Sequence, residues 1–128
     1  MDSPRSNLIE RGAKHPAWKG HGEISGFMWA KIRESARRRS IELTITIEEA
    51  WAVFQEQNGR CALSNVELLF SRTSRENTAS LDRIDSNLGY TKTNVQWVHK
   101  TVNKMKNDLG NNEFLLWCSM IKSNILQG

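Results

Sequence analysis

Apolar positions change their spacing several times along the chain, and each change marks an element. Met28, Ile32 and Ala36 recur every four residues behind Ser25, a good helix cap, which predicts a helix over about residues 26–39. Thr46-Ile-Glu-Glu49 has the form of a capping box, and Ala50, Trp51 and Phe54 follow on one face. A second helix is therefore expected from about 47 to 57, closed by the Asn58-Gly59 turn. Residues 41–45 read as a short extended piece. Two apolar runs at 61–63 and 66–70, parted by Ser64-Asn65, read as a hairpin or as a strand and its return.

After a polar loop at 71–78, residues 79–84 form the next expected strand. A turn containing Asn87 and Gly89 leads to a second extended segment at 94–98 and a helix over about 99–108. Asn111 or Asn112 is placed to cap a last helix, whose Phe114, Leu115, Cys118, Ile121 and Ile125 make a broad apolar stripe. The pattern is that of an α+β protein, with helices packed around one strand–loop–strand–helix unit inside residues 60–108. Residues 1–23 lack periodicity and read as an irregular arm anchored by Trp18, and residues 24–128 read as a single domain.

Charge adds a partner class. The formal net charge is +4, from 18 Lys+Arg against 14 Asp+Glu, a balance that suits polyanions and equally suits plain solubility. Arg33, Arg37, Arg38 and Arg39 crowd the end of the first helix, where they complement the helix dipole and are also a dense phosphate-gripping cluster. Cys61 and Cys118 lie in unrelated segments, and with His15, His21 and His99 they form no disulfide framework or zinc set of familiar spacing. Reduced thiols in a cytoplasmic protein are expected. The N-terminus lacks an apolar signal core and no stretch reaches membrane-spanning length, so no membrane partner is expected.

Candidate chemistry gathers between residues 78 and 106. In the helix after Trp97, Val98, Val102, Met105 and Leu109 share one expected buried face, while His99, Asn103 and Lys106 line the adjacent stripe. That stripe offers a base or ligand, an amide oxygen and a cation, although polar side chains on an exposed ridge are usually only solvated. Asp82 and Asp85 end the preceding strand. A metal-assisted phosphodiesterase needs hard oxygen ligands, a group that orients or deprotonates water, and a cation for the phosphate. Asp82 with Asn103 supplies such ligands on this reading. For Asp85 the better reading is turn chemistry, its side chain bonding nearby backbone N–H groups.

The segment TASLDRIDSNLGYTKTNVQWVHKTVNKMK resembles the core of an HNH (ββα-metal) endonuclease, and the whole sequence resembles small phage- or prophage-type HNH proteins. The alignable core covers about a quarter of the chain. The resemblance implies that Asp82 and Asn103 are metal ligands for Mg²⁺ or Mn²⁺, and that Asn94 braces the loop and orients the base. It also implies that Lys106 follows the helix ligand as the family lysine. DNA, duplex in form, is the implied substrate, with Arg37, Arg38, Arg39, Arg83 and Lys106 as phosphate contacts. A larger protein complex, docked through the apolar last helix, is the other partner class expected.

Two departures stand out. Arg83 follows Asp82 where the family has its histidine base, and a guanidinium stays protonated at neutral pH. Arg83 then becomes a candidate clamp for the scissile phosphate, and the base is either His99 or a metal-bound hydroxide. An alternative is a scaffold that binds DNA or assembles a complex without turnover. Ser64 stands where zinc-bearing relatives complete a CxxC begun at Cys61, so no structural zinc is expected.

Overall fold

In the computed structural model, which describes residues 19–71 and 76–127, helix α1 spans Gly26–Arg38. Ser25 caps it, its hydroxyl accepting from the Met28 N–H at 3.0 Å. Trp29 and Ala36 are buried, with Met28 and Ile32 packed beside them. Ser40, at φ 57°, ends the helix with its N–H on the Arg37 carbonyl while Ile41 N–H reaches the Ala36 carbonyl. These paired reverse bonds satisfy carbonyls that the last turn leaves open. Helix α2, Ile47–Glu56, carries the expected capping box between Thr46 and Glu49. It ends the same way, with Asn58 at φ 55°.

The sheet has two antiparallel strands, β1 (Ala79–Arg83) and β2 (Val95–His99), in register from Ala79↔His99 to Arg83↔Val95. Helix α3 (Lys100–Lys106) follows β2 directly, and α4 (Asn111–Gln127) completes the chain. Four helices and this sheet make an α+β architecture among the described residues. No helix among them is long and apolar enough to cross a membrane. Residues 1–18 of the expected arm, Trp18 included, lie outside the described residues. So does the centre of the 71–78 loop.

Opposed residues in an antiparallel pair share a face, so the register divides the hairpin into two unlike sides. Ala79, Leu81, Val95 and Trp97 face the apolar core with Ala50, Phe54, Cys61 and Leu68. Trp97 is wholly buried and donates its indole N–H to the Ala50 carbonyl at 2.8 Å. Phe70 lies edge-on to Trp97 and close to Phe54, with centroids 5.2 and 4.8 Å away, the tilted geometry that ring quadrupoles favour. Gln57 then seals the outer edge of β2: its amide accepts from Trp97 N–H at 2.9 Å and donates to the Trp97 carbonyl at 2.8 Å. A side-chain amide thus stands in for a third strand.

Several expected elements differ. Residues 61–70 form no strands; Arg60 and Glu67 make one isolated bridge, and Asn65 at φ 65° closes a tight turn in which Asn65 N–H bonds the Cys61 carbonyl. Residues 41–45 contribute a single parallel bridge, Leu43 to Tyr90. Both runs are too irregular to pair further, because their apolar side chains plug the core singly. Asn111 does not cap α4 with its side chain, which turns to Gln96 instead. Along α4 only Phe114 is buried, and Leu115, Ile121 and Ile125 of the expected stripe stand exposed.

The Glu49 carboxylate accepts the Thr46 N–H, and that bond holds its pKa below the usual 4.5. A depressed carboxylate contributes stability above its ordinary pKa and loses it as pH falls through the folded value. Glu49→Gln should therefore melt below wild type at about pH 7, and the gap should close at about pH 3 by circular dichroism.

Candidate metal and nucleic-acid site

The second side of the hairpin is polar where a sheet covered by a helix is usually apolar. Ser80, Asp82 and Gln96 project there with Val98, and α3 lies over them. Each polar group finds a partner. Gln96 Nε2 donates to Asp82 Oδ2 and to Asn111 Oδ1, both at 2.9 Å, and Asn111 Nδ2 returns a bond to Gln96 Oε1 at 3.1 Å. Lys106 Nζ lies 2.9 Å from Asp82 Oδ2 and donates to the Arg83 carbonyl at 2.7 Å. Asn103 Nδ2 donates to Ser80 Oγ at 2.6 Å. No buried side-chain nitrogen or oxygen among the described residues lacks a partner.

This arrangement changes the expected faces of α3 in part: Val98 is buried and Val102 packs on the core as expected, but the last turn differs. Met105, assigned to the buried face, is 61% exposed, whereas Lys106 is wholly buried. The helix turns its Asn103–Lys106 stripe inward because the strand face beneath carries a carboxylate and two polar groups, and an unpaired buried charge costs far more than an exposed methionine. Lys106 therefore neutralises Asp82 from inside the fold and is not a surface contact for phosphate.

Asn94, Arg83 and His99 each hold the backbone. Asn94 is buried and braces the 85–90 turn: its Oδ1 accepts from Asp85 N–H, and its Nδ2 donates to the carbonyls of Asp85 and Gly89, all at 2.9 Å. Asp85 Oδ1 accepts from Asn87 N–H in the expected turn chemistry. Gly89 is required here because a Cβ would lie 2.6 Å from the Glu42 carbonyl oxygen. Arg83 is half-buried over the Tyr90 ring, its Nη1 donating to the carbonyls of Ser86 and Leu88 at 2.7 and 3.0 Å. His99 belongs to the strand face opposite Asp82, and its Nδ1 accepts the Thr101 N–H as the cap of α3. Arg37 pairs with Glu34 at 2.6 Å, and Arg39 approaches Asp108 at 3.8 Å; Arg37, Arg38 and Arg39 are all exposed.

Cys61 occupies a donor-rich corner. Burial pushes its thiol pKa up, but hydrogen bonds from the Ser64 hydroxyl and from the His99, Ser64 and Leu63 N–H groups outweigh it and bring the value below the usual 9.0. Ser64 thus fills the corner with a hydrogen bond.

Asp82 and Asn103 lie on the same covered face, with Asn103 over Ser80, one strand repeat (~7 Å) from Asp82. Among the described residues Asp82 Oδ1 and Asn103 Oδ1 accept no hydrogen bond, which leaves two hard oxygen donors. Oxygen donors are the type a Mg²⁺-like ion takes, and the Lys106 ammonium shares the Asp82 carboxylate. Among the described residues no three His, Cys, Asp or Glu side chains gather as a ligand set. The sequence reasoning missed Gln96 and Asn111, whose network no local pattern signals. Comparison with known proteins finds no matching family model, no matching characterised sequence and no matching solved structure.

Removing one partner of a buried ion pair leaves an uncompensated charge. Lys106→Met alone should lower stability by about 3–5 kcal/mol, and pairing it with Asp82→Leu should recover much of that loss. Urea unfolding midpoints test this; an unchanged midpoint for Lys106→Met would remove the pair from the stability of the fold.

Proposed function

We propose that this chain is an HNH-type endonuclease domain that cuts the phosphodiester backbone of DNA. The observation that carries the reading is the common face of Asp82 and Asn103, the two ligands implied by the resemblance, each with a free oxygen, beside a turn braced by Asn94. These two residues would hold a Mg²⁺ or Mn²⁺ ion, which supplies a more acidic water and charge to stabilise the phosphate being cleaved. Lys106 orients Asp82 through its contact with Oδ2. Arg83 sets the 83–90 turn that frames the site, a positioning task that arginine performs without giving up a proton. His99, engaged in capping on the other strand face, is not the base at Asp82. The exposed Arg37, Arg38 and Arg39 contact phosphates without reading sequence.

A second reading is favoured by the Asp82–Lys106 contact, since an internal cation on the ligand carboxylate weakens its hold on a metal. Here the same scaffold binds DNA without turnover.

Incubation of supercoiled plasmid with the protein and Mg²⁺ or Mn²⁺ separates the two. Nicking that falls by about a hundredfold or more in Asp82→Ala, as expected for loss of a metal ligand, supports the nuclease. Retarded but uncut plasmid supports the binding scaffold.

A further inference from the structure

Helix α1 does not close against β1. Between them lies a cleft of about 660 Å³, floored by Met28, Ile32, Leu81 and Tyr90 and reaching Ser80 and Asn103 beside the candidate site. Gln57 and Ala62 bond the outer edge of β2 at Trp97; on β1, Ala79 is bonded by Leu69 and Asn77 and the Arg83 carbonyl by Lys106, and Ala79, Ser80 and Leu81 border this cleft. Lys31, Arg39 and Lys100 line it, and among the described residues no Asp or Glu does, the nearby Glu76 carboxylate accepting from the lining Ser71. Arg39 is shared with Asp108 at the long distance of 3.8 Å. At the mouth Phe27 is 62% exposed, with the Lys31 ammonium 5.3 Å from its ring centroid.

We infer that this cleft binds an unpaired strand of nucleic acid. A cleft of this volume takes a ligand with a flat apolar part and a few polar groups. Its floor suits a base, and the charged side chains that line it among the described residues are cations, Lys31, Arg39 and Lys100. An exposed aromatic ring beside a lysine is the pairing that stacks a base and meets the neighbouring phosphate. In a duplex the base faces stay stacked inside and cannot enter; a single strand presents them. An acidic peptide satisfies the lysines but leaves Phe27 and the apolar floor without a flat partner. The inference rests on the reading above for the polymer's identity and gives it a form, melted or single-stranded DNA fed past Asn103 toward Asp82.

Binding is read in chelator, by fluorescence anisotropy of a labelled oligo(dT) strand and of a duplex of equal length. The single strand should bind more tightly, and its affinity should fall steeply as salt rises. Phe27→Ala and Lys31→Glu, both on the exposed side of α1 and checked for wild-type melting, should each weaken it about tenfold, and Phe27→Tyr should restore it. A strand containing 2-aminopurine should be quenched by wild type and not by Phe27→Ala. Duplex binding as tight as single-strand binding, or a Phe27→Ala variant that binds and quenches normally, overturns the inference, as does an affinity insensitive to salt. Single-strand binding without plasmid nicking supports the cleft and counts against hydrolysis alone.

Discussion

A carboxylate buried beneath a helix must be neutralised, and the way Asp82 is neutralised organises this half of the molecule. Lys106 reaches it from the last turn of α3 and bonds the Arg83 carbonyl as well, which ties the helix to the end of β1. Gln96 adds a second donor and passes the network on to Asn111 at the start of α4. Four successive segments are thereby held in one register by directional bonds, which apolar packing alone would not enforce. The polar face is costly to bury, and so it specifies where α3 and α4 begin.

The opposite face of the hairpin does ordinary packing work. Trp97 sits at its centre, against Phe54 and Phe70, and Gln57 closes the strand edge beside it. One hairpin thus carries an apolar side that joins it to α2 and a polar side that joins it to α3. Residues 79–81 of β1 border the cleft, so the charged surface and the polar network meet at Ser80 and Asn103. Substrate grip and phosphate chemistry, in the proposed function, are neighbours for this reason.

The two capping signals were legible because they are local. Ser25, Thr46 and Glu49 act within three residues of their partners, and the helices start where those residues stand. The strands at 79–83 and 95–99 were legible from their apolar content, and so was the bracing turn between them. The 61–70 segment misled because short apolar runs look alike whether they pair as strands or plug a core one side chain at a time. His99 misled for another reason: helical spacing aligned it with Asn103, but it ends a strand, and strand alternation sends its side chain to the far face.

Local sequence therefore determined the main helices and strands, two of the helix caps and the residue types available to a site: a carboxylate, an amide and a lysine within 25 positions of the chain, from Asp82 to Lys106. Tertiary structure alone decided their roles. Whether Lys106 meets solvent or Asp82 depends on which stripe of α3 turns inward, and that follows from the polar groups of a strand more than 15 residues away. Spacing reports which side chains share a face; only packing reports what the face meets, because burial and charge neutralisation are properties of two surfaces together.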